Sequence, residues 1–107
     1  MDRFDYQHLD GLTLEPRYGA IRIDYSEPDQ GGTRLLIRFR IYVDGRIERD
    51  SGYAHDSELR TEAIDRSKLP SRVIDDGLTW VQEQIKTGAN NTKLIEALHR
   101  IEEAIRK

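Results

Sequence analysis

The chain has 107 residues, 36% of them apolar and 35% charged, with no cysteine and a formal charge of −3. This length supports one hydrophobic core, so residues 1–107 are expected to form a single domain. The missing thiols exclude disulfide frameworks, cysteine nucleophiles, Cys-ligated zinc and iron–sulfur clusters together. No apolar leader opens the sequence, and stretches such as Leu35-Leu36-Ile37 are far too short to cross a bilayer, so a cytoplasmic protein without membrane contact is expected.

Residues 2–9 read as a short extended segment and Leu12-Thr13-Leu14-Glu15 as a short strand, with Pro16-Arg17-Tyr18-Gly19 turning into the next element. In residues 20–26, Ile21, Ile23 and Tyr25 share one parity and Arg22 and Asp24 the other, the pattern of a strand with one buried face. Glu27-Pro28-Asp29-Gln30-Gly31-Gly32 is a loop by composition. From 34 to 43 the alternation resumes. Leu35, Ile37, Phe39, Ile41 and Val43 point one way, and Arg34, Leu36, Arg38, Arg40 and Tyr42 the other.

The turn that follows fixes a register. A two-residue loop at Asp44-Gly45 would place Arg46 and Glu48 on the apolar face. A three-residue loop at Val43-Asp44-Gly45, with Gly45 in the left-handed position of a bulge, pairs Ile41 with Ile47, Arg40 with Glu48, Arg38 with Asp50 and Leu35 with Tyr53. The bulged turn is therefore expected. The sparsely apolar inward set Ile47, Arg49, Ser51 and Tyr53 then suits a sheet edge.

Residues 57–66 are ambiguous. Ser57 could cap a helix carrying Leu59, Ala63 and Ile64, or the run could add a fourth strand, and propensity leans helical. Helices are predicted over about 70–87, opened by Pro70 and striped by Ile74, Leu78, Val81 and Ile85, and over about 92–106, capped by Thr92 and striped by Leu94, Leu98, Ile101 and Ile105. The expected fold is α+β: an antiparallel meander of three or four strands over about residues 4–54, with a C-terminal helical hairpin packed on its apolar face.

The usual chemical kits are missing. Gly31-Gly32 lies in a hairpin loop, not between a strand and a helix, so no nucleotide site is predicted. His8, His55 and His99 form no ligand cluster, and adjacent Asp75 and Asp76 diverge by about 100° on a helix, where they read as first-turn acids, so neither metal nor cofactor is expected. The one local acid–base grouping is His55 and Asp56 with Tyr53.

Two surfaces remain. Thirteen of the seventeen basic residues are arginine, and Arg22, Arg34, Arg38 and Arg40 with Tyr42 share the outward sheet face, one way to bind single-stranded nucleic acid. The register sets Asp50 and Glu48 against Arg38 and Arg40, with Asp24 alongside, which compensates the stripe. The first helix also has a second flank of Val73, Gly77, Trp80 and Gln84, either packed inside the chain or free as an interface. The expected function is a small non-enzymatic interaction protein, an accessory, adaptor or inhibitor, meeting a protein partner or a second copy of itself. Single-stranded nucleic-acid binding and a small enzyme using His55 and Asp56 are the alternatives.

Overall fold

The computed structural model of the protein describes residues 8–17, 19–28, 34–53, 59–87 and 91–107. Five strands, β1 (His8–Glu15), β2 (Ala20–Pro28), β3 (Arg34–Tyr42), β4 (Ile47–Tyr53) and β5 (Arg60–Ala63), form one antiparallel meander in chain order. A 3-10 turn (Arg66–Lys68) leads into α1 (Ser71–Thr87), and α2 (Thr92–Arg106) returns antiparallel to it. The α+β architecture is the expected one, with five strands where three or four were expected.

The alternating apolar residues place the core. Ile21, Ile23 and Tyr25 of β2, Ile37, Phe39 and Ile41 of β3 and Ile47 of β4 are buried on one sheet face against Val73 and Val81 of α1 and Leu98, Ile101 and Ile105 of α2. Leu12 and Leu14 of β1 close one side of this core. Beyond Ile47 the same face turns polar, carrying Arg49, Ser51, Arg60 and Glu62.

The β3–β4 register is the bulged one, with Ile41 opposite Ile47, Arg40 opposite Glu48, Arg38 opposite Asp50 and Leu35 opposite Tyr53. Gly45 N–H donates to the Tyr42 carbonyl (3.0 Å), and Gly45 takes φ 94°, a conformation that costs a residue with a side chain about 1–2 kcal/mol.

Four local expectations are corrected. Within the run 57–66, read as leaning helical with a further strand as the alternative, Arg60–Ala63 form strand β5 and the 3-10 turn begins at Arg66, because pairing with β4 satisfies backbone groups that a helix there would leave open, and residues 57 and 58 lie outside the described residues. With β5 alongside, β4 is not the sheet edge. The cap of α2 is Asn91, whose side chain accepts the Leu94 N–H at 3.1 Å, one residue before Thr92. At the other end of the sheet, a bulge between Leu9 and Gly11 lets β1 run on as one strand through Asp10, and residues 2–7 lie outside the described residues.

Candidate functional site

The outward sheet face is built by the period-two parity of β1 to β5, which brings Glu15, Arg22, Asp24, Arg38, Arg40, Tyr42, Glu48, Asp50 and Thr61 to one side. These side chains are joined to each other. Arg40 donates from Nε to Glu15 Oε1 (2.8 Å) and from Nη1 to Asp50 Oδ2 (2.6 Å). Arg38 Nε donates to Asp24 Oδ1 at 2.8 Å, and Arg22 lies 3.3 Å from Asp24 and 3.7 Å from Glu15. Asp50, 4% exposed, also accepts from Thr61 Oγ1 at 2.7 Å.

The cross-strand neighbours are those the register gives, but the ion pairing runs diagonally. Arg40 reaches Asp50 and Glu15, and Glu48, directly opposite it, accepts from the Tyr42 hydroxyl at 2.5 Å. That bond first, and burial second, push the Tyr42 phenol up to about 12. Burial alone would lower the pKa of Arg40, and its bonds to Glu15 and Asp50 more than reverse this, so the guanidinium is held charged. Arg46 stacks over the Tyr42 ring at 4.2 Å and adds a cation to the rim. Arg34 belongs to β3, and its side chain lies outside the described residues.

A second cluster joins the layers. The Tyr25 hydroxyl donates to Asp76 Oδ2 at 2.8 Å, and Arg72, one helical turn before Asp76, lies 3.6 Å from that carboxylate with its guanidinium 5.1 Å from the Tyr25 ring centre. Burial first, then the bond to Asp76, raises the Tyr25 pKa far above the ordinary phenol value. This corrects the reading of Asp75 and Asp76 as first-turn acids: α1 begins at Ser71, and Asp76 fastens the helix to β2. A proton held this firmly makes the cluster a clamp between layers rather than an acid–base pair working near neutral pH.

The helix flank is largely spent inside the chain. Val73 is fully buried, Gly77 is buried with Ile105 and Ile23 beside it, Trp80 packs on the core and Gln84 is half-buried. His99 lies on the outer side of α2, 3.7 Å from Glu102. His55 and Asp56 lie outside the described residues, and Tyr53 is exposed at the end of β4. A hollow of about 210 Å³ beneath the β3–β4 turn is lined by three basic side chains, Arg66, Arg100 and Lys107, and two acidic ones, Asp44 and Glu103, and Arg66 is already bonded to the Ile105 carbonyl. Among the described residues, no group of three or more His, Asp or Glu could hold a metal ion.

A further surface is the outer edge of β5, one of the two edge strands of the sheet, the other being β1. All four of its residues are exposed. Ile64 N–H donates to the Ile47 carbonyl (3.0 Å), and the register continues as Glu48–Ala63, Arg49–Glu62, Asp50–Thr61 and Ser51–Arg60. Antiparallel pairs alternate between bonded and non-bonded, so Glu62 and Arg60 bond to β4, and Thr61 and Ala63 turn their N–H and C=O outward. This edge was hidden in the sequence by its lack of apolar alternation. Its signal was the order Leu59-Arg60-Thr61-Glu62-Ala63, apolar, basic, hydroxyl, acidic, apolar. Comparison of the chain with protein-family models, with curated proteins and with solved structures finds no match.

Proposed function

We propose that this chain is a small non-enzymatic interaction domain, an accessory, adaptor or inhibitor, that takes up a strand of a protein partner along the free edge of β5. The observation that carries the reading is the outward N–H and C=O of Thr61 and Ala63 on a fully exposed edge strand. An edge of this kind is a template for another extended chain, and main-chain hydrogen bonds then supply affinity while alternate side chains supply specificity. The polar side chains of the outward sheet face are by contrast engaged with each other. Strand uptake by β5 uses groups left free among the described residues.

Single-stranded nucleic-acid binding through Arg22, Arg34, Arg38, Arg40 and Tyr42 is the competing reading. It is the weaker one, because Arg22, Arg38 and Arg40 are each held by carboxylates and Tyr42 is bonded to Glu48. A polyanion would have to displace those partners to reach the cations.

Strand uptake is tested by titrating the isotope-labelled chain with short peptides selected for binding from a random library. Binders are expected to shift the amide resonances of Thr61 and Ala63 and to lose about tenfold or more in affinity for Ala63→Pro. That substitution removes an outward N–H and leaves the β4–β5 ladder intact. Peptides that shift resonances of the outward sheet face or the helices instead, and bind Ala63→Pro unchanged, overturn the reading.

A further inference from the structure

We infer that the strand taken up by this edge is β5 of a second copy of the chain, an inference that rests on the strand-uptake reading above. The argument is one of register. Two β5 strands placed antiparallel about a two-fold axis through Thr61 make Thr61 face Thr61 of the other copy, Arg60 face Glu62, and Leu59 face Ala63, each of the last two pairs occurring twice. Every one of these pairings is favourable: hydroxyl to hydroxyl, opposite charges, and apolar to apolar.

The backbone agrees with the side chains. Thr61 is one of the two β5 residues whose N–H and C=O point outward, so Thr61 and its symmetry mate exchange two hydrogen bonds, and Leu59, the residue just before β5, comes opposite Ala63. Arg60 and Glu62 then fall at non-bonded pairs, where opposing side chains lie closest. A shift of one residue along the strand would instead put Thr61 against Glu62 and Arg60 against Ala63, pairing no opposite charges.

The charges of the single chain leave room for this contact. Arg60 has no ion-pair partner among the described residues, and Glu62 is paired only with the exposed Arg49. In the pair of copies each Glu62 sits between Arg49 of its own chain and Arg60 of the other, on the polar part of the helix-side face. The result is a continuous ten-stranded antiparallel sheet with both helical layers on one side and both arginine–carboxylate faces on the other. The shared strand is short, which places the contact among small interfaces, with a dissociation constant on the order of 10 µM.

Sedimentation velocity of the full chain from about 1 to 500 µM tests this, a range that brackets the expected midpoint. A monomer–dimer equilibrium is expected, weakened about tenfold or more by Arg60→Glu and separately by Glu62→Arg, since each sets like charges opposite each other twice per dimer. An equimolar mixture of the two variants is expected to recover the wild-type association, because each chain then supplies the charge the other lacks, and recovery also shows that both variants are folded. A wild-type chain monomeric throughout the range, a dimer indifferent to both charge variants, or a mixture that stays monomeric overturns the inference. Strand uptake in general is judged separately by the peptide titration, so a monomer that still binds peptides at Thr61 and Ala63 discards the second copy and keeps the edge.

Discussion

Asp50 is the residue on which the outward face converges. Its side chain is 6% exposed and lies 2.6 Å from Arg40, 2.7 Å from Thr61 and 4.0 Å from Arg38, linking β3, β4 and β5 through one carboxylate. Removing it would not leave the arginines bare, because Arg40 keeps Glu15 and Arg38 keeps Asp24, both at 2.8 Å. The loss is therefore that of charge-assisted hydrogen bonds at a buried site. Asp50→Ala is expected to lower stability by about 1.5–3 kcal/mol in urea unfolding, and Asp50→Asn by less, since an amide oxygen still accepts from Thr61. Arg49→Ala, which breaks an exposed pair with Glu62, is expected to change stability by about 1 kcal/mol or less, and equal losses for Asp50→Ala and Arg49→Ala would refute the difference in burial on which the contrast rests.

At the scale of elements, sheet and both helices meet at Gly77. A Cβ built there would lie 3.2 Å from the Ile105 terminal methyl and 3.4 Å from that of Ile23, so the absence of a side chain lets α1 sit against β2 and α2 at once. In Gly77→Ala a helix-propensity gain of about 1 kcal/mol opposes a small displacement of two methyl groups, whereas Gly77→Val forces branched carbons into the same gap. Gly77→Val is expected to lower stability by about 1–3 kcal/mol relative to Gly77→Ala, measured by urea denaturation, and equal stability of the two variants would mean that α1 stands off the sheet. The second flank of this helix was visible in the sequence as Val73, Gly77, Trp80 and Gln84. Whether it faced inward was not, because periodicity gives the direction of a side chain and not the number of neighbours around a helix. The β3–β4 register was legible because a two-residue turn at Asp44-Gly45 would put Arg46 and Glu48 on the apolar face. Strand β5 was not, since all four of its residues are exposed and it exists only through hydrogen bonds to the open side of β4. Equally hidden were Glu15 in the outward network and Asp76 beneath Tyr25, the latter contact spanning 51 residues of sequence. Such pairs follow from how strands and helices are laid side by side, which no local pattern records.

For the molecule as a whole, the distribution of charge matters more than its sum. The formal charge of −3 combines a basic middle of the chain with more acidic ends, and folding brings Glu15 from β1 and Asp50 from β4 across to Arg22, Arg38 and Arg40 at its centre. Folding therefore neutralises much of the stripe that a linear count shows as positive. Retention of a single-stranded polyanion depends on releasing its counterions onto free cations, and each arginine already bridged to a carboxylate contributes little to that release. The chain is accordingly expected to show no salt-sensitive retention of single-stranded RNA or DNA at about 10 µM protein and low ionic strength, measured by fluorescence anisotropy. Disrupting the network should unmask what it conceals. The double variant Glu15→Gln plus Asp24→Asn removes two acids from the face and is expected to create weak, salt-sensitive binding that Arg38→Glu plus Arg40→Glu abolishes. Tight binding by the unmodified chain, lost on Arg38→Glu plus Arg40→Glu with the fold intact, would instead make the outward face a polyanion site and demote the β5 edge from the functional surface to an ordinary sheet boundary.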